Sequence, residues 1–260
     1  MFAVFKREFL SYFRTPVGWV AICLLGVIGG YYFTGMLTSD FSYVNVSLEV
    51  AFLRSFFVVL IPIITMRLFA EEKKNGTDVL LYTMPFSMKD AVIGKFLAAL
   101  ALQILMLISL FSHMIITVIL SGYISSATWG AIFGYIVLAA LFISIGMLTS
   151  AMTENQIMSA VVCFVILLFL SMLSSISSSI SSIIKAVLRF TKLFGLSDSA
   201  IYTVGEKTKS FISWFDPYAR TDCFTSGVFK VVPLVFCLSF TAVFIYITFR
   251  VLEKKRWSQS

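Results

Sequence analysis

Residues 96–153 read FLAALALQILMLISLFSHMIITVILSGYISSATWGAIFGYIVLAALFISIGMLTSAMT, 58 consecutive positions without one Asp, Glu, Lys or Arg. A straight helix of that length would measure about 87 Å, roughly three times the hydrocarbon thickness of a bilayer. The stretch must therefore turn back on itself. The run Ser121-Gly122-Tyr123-Ile124-Ser125-Ser126-Ala127-Thr128-Trp129-Gly130 supplies turn-forming residues near its middle. Two membrane-crossing helices follow, at about 95–121 and 129–150.

Working outward, Thr15 to Ser39 is also free of charge and gives a span at about 16–38. Only twelve uncharged residues separate Arg54 from Arg67, so a span at about 50–70 requires both arginines to snorkel to opposite interfaces. Two further spans are read at about 155–174 and 231–250, the last ahead of Glu253-Lys254-Lys255-Arg256. The expectation is an all-α, polytopic membrane protein, one transmembrane domain over 1–260 with six crossings and both termini on one side. Composition agrees: 59% of the 260 residues are apolar and 13% charged, against about 25% charged in soluble globules. A water-soluble enzyme, a disordered chain and a disulfide-rich secreted protein are excluded. Cys23, Cys163 and Cys237 lie in apolar stretches and Cys223 in a more polar one, with no disulfide or metal spacing among them. Lys6, Arg7, Glu8 and Arg14 precede an apolar run too long for a cleavable signal, so that run is expected to stay in the protein.

Basic residues near span ends set the orientation. With the N-terminus inside, Lys6, Arg7, Arg14, Arg67, Lys73, Lys74, Lys89, Lys95 and the four basic residues from Arg250 to Arg256 all face the cytoplasm. The same excess of basic residues does not point to nucleic acid, because no basic run exceeds three residues. In 1–14, Phe2, Phe5, Phe9, Tyr12 and Phe13 share one helical face and Arg7, Ser11 and Arg14 the other, which suits a helix lying in the inner headgroup layer. In the extracytoplasmic loop, 175–230, the stripe Ile176, Ile180, Ile183, Ile184, Val187 and Phe194 opposes Lys185, Arg189 and Lys192. Residues 176–194 therefore read as an outer amphipathic helix, either a gate over a substrate path or a lid anchored in headgroups. Glu49 and Arg54, near the outer end of the second span, are candidates for the outer mouth or snorkelling residues at a helix end.

The cytoplasmic loop, 71–94, runs Glu71-Glu72-Lys73-Lys74-Asn75-Gly76-Thr77-Asp78-Val79-Leu80-Leu81-Tyr82-Thr83-Met84-Pro85 and ends at Gly94-Lys95-Phe96-Leu97-Ala98. Gly76 permits a turn, Thr77 can cap a helix, Asp78 suits its first turn and Pro85 ends it. The short helix so formed, with Leu80 and Leu81 on an apolar edge, either docks in a groove on another protein or lies on the inner leaflet.

This arrangement resembles the type-2 ATP-binding-cassette exporter permeases, especially the branch containing the gliding-motility and nitrous-oxide-reductase-maturation permeases. Tyr12-Phe13-Arg14-Thr15-Pro16-Val17-Gly18-Trp19, Thr153-Glu154-Asn155-Gln156-Ile157 and Leu252-Glu253-Lys254-Lys255-Arg256-Trp257 are similar to the same branch. The resemblance implies that Glu71, Glu72, Lys73, Gly76, Thr77, Asp78, Leu80, Leu81 and Pro85 belong to a coupling helix seated on a separate ATPase. It implies a second cytoplasmic contact at Thr153, Glu154, Asn155 and Gln156, and a bacterial-type plasma membrane as the location. It further implies a homodimer or a heterodimer with a related permease, surrounded by lipid and served by two ATPase copies that hold the ATP and Mg.

The chain itself is expected to bind no cofactor and to be no enzyme. A phosphate-binding loop needs Gly-x-x-x-x-Gly-Lys-Ser/Thr, whereas Gly94-Lys95 is followed by Phe96 and position 89 is Lys. The competing readings are a passive channel or scaffold that needs no ATPase, and an intramembrane enzyme. For the enzyme, the one histidine, His113, has no carboxylate near it in sequence and reads first as a hydrogen-bonded packing residue. Nucleophile and metal-ligand patterns are missing from the sequence.

Overall fold

The computed structural model describes residues 1–39, 45–76, 88–121, 123–190 and 198–258, and among them every regular element is a helix. In chain order these are α1 (Phe2–Arg14), α2 (Pro16–Thr38), α3 (Val46–Arg54), α4 (Phe57–Thr65), α5 (Ala70–Lys74), α6 (Met88–Leu105), α7 (Ile108–Ser121), α8 (Ser126–Met152), α9 (Gln156–Ser171), α10 (Leu173–Phe190), α11 (Asp198–Ser213), α12 (Pro217–Thr225) and α13 (Val231–Ser258). Four stretches are long and apolar enough to cross a membrane unaided: α2, α6 with α7, α8 and α13. The pairs α3–α4 and α9–α10, bent by 58° and 53°, raise the number to as many as six if each is one broken span.

The bends have local causes. At the α3–α4 break, Ser55 N–H bonds to Phe52 C=O and Phe56 N–H to Leu53 C=O, so tight i→i+3 turns replace α-helical bonding. Leu107 N–H to Ile104 C=O does the same between α6 and α7.

At the centre stands α8, capped by the Ser125 hydroxyl, which accepts from Ala127 N–H. It packs against α3, α4, α6, α9, α12 and α13. Its residues from Val137 to Met147 are buried without a break, the signature of a helix surrounded on all sides. Helix α2 is the opposite case. Only Gly18, Ala21, Leu25, Gly29 and Phe33 are buried, one narrow stripe, while Val27 and Tyr31 are open. An apolar helix with one protein-facing stripe is stable where lipid is the solvent for the rest.

Helix α1 and the C-terminal part of α13 lie at one end of the bundle. Gly94 on α6 faces Val4 of α1, and the Lys89 ammonium sits 5.5 Å from the Phe249 ring on α13. Helix α6 begins at Met88, within the expected cytoplasmic stretch 71–94, and Gly94 lets α1 lie directly on its first turns. One expectation needs correction, the placement of Tyr12. Tyr12 leaves the aromatic face of α1: Phe2, Phe5, Phe9 and Phe13 form a ladder reaching Trp19, but Tyr12 is buried and donates to Ile64 C=O at 3.0 Å. The hydroxyl needs a buried acceptor, and the end of α4 supplies one.

At the other end α10 packs on α11. The isoleucine stripe is divided: Ile176, Ile180 and Ile184 are half-buried beside the most enclosed positions of the helix, which are serines. Ser177 and Ser181 are buried, with Ser181 donating to Gly205 C=O at 2.9 Å, while Ile183 and Val187 are open. Small side chains permit the closer approach. Lys185 crosses to Glu206 at 2.6 Å. Lys192 and Phe194 lie outside the described residues.

Candidate functional site

Of the stretch 71–94 the structure describes residues 71–76, most of them in α5, and 88–94 at the start of α6, and the rest of the protein holds α5 firmly. It has no side-chain cap of its own. Ser150 of α8 provides one: its hydroxyl accepts from the N–H groups of Phe69 (3.0 Å) and Ala70 (3.1 Å) and donates to Met66 C=O (3.2 Å). All three groups belong to the turn where α4 gives way to α5, so one buried hydroxyl settles three backbone atoms without other partners. Ser150→Ala is expected to cost about 1–2 kcal/mol of folding stability and to speed amide exchange at Phe69 and Ala70, measured by hydrogen–deuterium exchange.

At its other end α5 stops at Gly76, whose φ of +65° is the left-handed conformation that favours glycine. Lys73 reaches across to the C-terminal carbonyls of α8, donating to Ala151 and, at 3.2 Å, to Thr153. A cation suits that negative helix end. The turn between α8 and α9 is thereby tied to α5, which brings Thr153 beside Lys73.

The second support is a charge cluster with α1. Glu72 pairs with Lys95 at 2.9 Å and with Arg7 at 3.0 Å, while Glu8 pairs with Arg7 at 2.7 Å and Lys95 at 3.4 Å. Lys95 is only 1% exposed; it also donates to Leu68 C=O at 2.5 Å and lies 5.0 Å from the Phe69 ring. Burial alone would raise the Glu8 carboxyl, but the charges and hydrogen bonds of Lys95 and Arg7 outweigh it and hold Glu8 below the usual carboxylate range. Arg67 completes the seat: it meets Glu71 at 2.9 Å, donates to Thr15, and stands 5.7 Å from the Tyr12 ring.

Of the residues read from sequence, Glu71, Glu72, Lys73 and Gly76 belong to this seat. Thr77, Asp78, Leu80, Leu81 and Pro85 lie outside the described residues. Thr153 joins through its carbonyl; Asn155 caps α9 by accepting from Ile157 N–H at 2.9 Å, ahead of Gln156, and Glu154 is exposed. Arg7, Glu8, Arg67, Lys95 and Ser150 were not singled out as site residues. For Lys95 a signal existed: it is a lone cation at the head of a very long apolar run.

Glu49 and Arg54 do not share a site. Arg54 is buried under α12, bonded to Asp222 at 2.8 Å and Thr221 at 3.2 Å. Glu49 is buried against His113, its Oε1 2.7 Å from Nδ1. This corrects the reading of His113 as remote from carboxylates: the sequence distance is large, but α3 and α7 are neighbours in space.

Among the described residues the protein is all-helical, with four to six candidate membrane spans and α5 at one end. The chain matches the family model of ABC-2 family transporter proteins over residues 2–257, and it belongs to that family. ABC-2 permeases work with an ABC ATPase, and their membrane domain carries no ATPase site. No curated protein matches the sequence. Among the described residues no group of three His, Cys, Asp or Glu side chains could hold a metal ion.

Proposed function

We propose that this chain is the membrane-spanning subunit of an exporter in a bacterial-type plasma membrane, with the α1 end in the cytoplasm and the α10–α11 hairpin outside. Two copies, or one copy and a related permease, enclose the route, and two copies of a separate ATPase drive it. One observation carries the reading: α5 is clamped to α8 by Ser150 and Lys73 and to α1 and α6 by Glu72. Such a seat suits the transmission of force. A push on the segment following Gly76 reaches the central helix through hydrogen bonds rather than through a slack loop. Leu80 and Leu81 supply the apolar edge that docks on the ATPase.

The test is copurification of the cassette ATPase with the full-length chain from membranes. The wild type retains it, and Leu80→Asp with Leu81→Asp reduces retention at least tenfold while the permease still reaches the membrane. Undiminished retention by the double variant overturns the coupling assignment. If no ATPase accompanies the wild type and transport proceeds without ATP, the chain is a channel or scaffold.

A further inference from the structure

Glu49 is 0% exposed, and its second oxygen, Oε2, has no hydrogen-bond partner. Around it are His113 Nδ1, 2.7 Å from Oε1, and Gly29 of α2, where an added Cβ would meet Oε1 at 3.1 Å. The imidazole lies flat on Phe33, ring centroids 4.3 Å apart.

The other ionisable groups on the helices packed around α3 are engaged elsewhere or open. On α2, Tyr32 stacks on Phe52 and Tyr31 is exposed, as is Cys23. On α8, Tyr135 accepts from Gln103 Nε2 at 2.6 Å. On the α12 side, Asp222 pairs with Arg54, Asp216 caps its own helix, Tyr218 donates to the Arg54 carbonyl, and Arg220 donates to Trp214 C=O. The Cys223 thiol donates to Arg220 C=O. On α7, His113 is the only such group.

With no proton on Oε2, which has no acceptor within reach, three protonation states allow one hydrogen bond between Oε1 and Nδ1. An imidazolium can face a carboxylate, a neutral imidazole can donate from Nδ1 to a carboxylate, or a carboxylic acid can donate from Oε1 to a bare Nδ1. The first two leave Oε2 sharing an anionic charge in an apolar interior with no donor, the costliest arrangement for an oxygen. The third leaves Oε2 a neutral carbonyl oxygen, for which an empty lone pair is tolerable. It also puts no net charge in the membrane.

We propose that Glu49 is a proton-binding site: at neutral pH it holds one proton and donates it to His113, forming an uncharged latch. The latch joins α3 and α7, each one part of an interrupted helical stretch, and ties them to each other beside α2 without placing charge in the bilayer.

The chain has a single histidine, which makes the test direct. The full-length, untagged protein, labelled with nitrogen-15 histidine and reconstituted in phosphatidylcholine–phosphatidylglycerol bilayers, is studied by solid-state NMR at about pH 7. The expected result is the neutral Nε2–H tautomer with a bare, hydrogen-bonded Nδ1. An imidazolium, or a tautomer carrying the proton on Nδ1, overturns the proposal. Infrared spectra of the same bilayers provide the second arm: a protonated-carboxyl band present in wild type is lost in Glu49→Gln, whose amide still donates to Nδ1. A spectrum unchanged by the substitution overturns the assignment to Glu49.

Discussion

Lys95→Met destabilises the protein by about 3 kcal/mol, the scale expected when one partner is removed from a buried ion pair. The methionine fills the space of the lysine stem, so the loss is electrostatic. Glu8 and Glu72 are left facing each other with Arg7 as the remaining cation, and Leu68 C=O loses its donor. Because these groups join α1 and α5 to α6, α1 is the first element to detach. Unfolding by SDS in mixed micelles measures the loss, and hydrogen exchange over residues 2–14 locates it. Glu8→Gln in the Lys95→Met background recovers part of the stability by removing one uncompensated carboxylate. If Lys95→Met unfolds like wild type, the cluster carries no weight in the fold.

The same cluster fixes the direction of the acid response. The folded-state Glu8 carboxyl titrates below its unfolded value. Its contribution is therefore complete above the ordinary carboxylate range, about pH 4.3, and disappears as the pH falls through the depressed folded value. Protection over residues 2–14, corrected for the intrinsic pH dependence of amide exchange, should fall on that acid side and stay flat toward neutrality.

Gly146→Ala costs a comparable amount, about 3 kcal/mol, for a steric reason. An added Cβ would lie 2.2 Å from Thr65 Oγ1 and 2.8 Å from Thr65 Cβ. Thr65 is fully buried and bonds back to Ile61 C=O, so it has no empty space to rotate into. Helix α4 would have to retreat from α8 at the turn where Ser150 holds the start of α5. The control is Gly30 on α2, where an added Cβ meets nothing within 4 Å; Gly30→Ala should be neutral or stabilise by up to about 1 kcal/mol. Thr65→Gly restores much of the loss in Gly146→Ala by removing the clashing atoms. Equal stabilities for Gly146→Ala and wild type would show that α4 and α8 are not packed at this distance.

Much of the architecture was legible because a bilayer makes a coarse demand on sequence. Apolar runs must be long and continuous, so the charge-free lengths before Ser39 and from Phe96 to Thr153 pointed to three apolar helical stretches, where the structure has α2, α6 with α7, and α8, without any knowledge of packing or of the break between α6 and α7. Gly76 was legible for a similar reason, since a turn after Lys73-Lys74-Asn75 needs the left-handed conformation it adopts.

The rest depended on distance in three dimensions. Sequence periodicity placed Tyr12 among the phenylalanines of α1, since a helical wheel cannot show that Ile64 presents a free carbonyl nearby. It made Lys95 a boundary marker and Ser150 one more small residue, because their partners, Glu8 and Phe69, lie 87 and 81 positions away. It left His113 alone, although Glu49 approaches it across 64 positions. The one-dimensional pattern specifies where the chain must avoid water, which is a property of each segment by itself. Which polar atoms then satisfy one another is a property of pairs, and only the packing of helices around α8 brings those pairs within bonding distance.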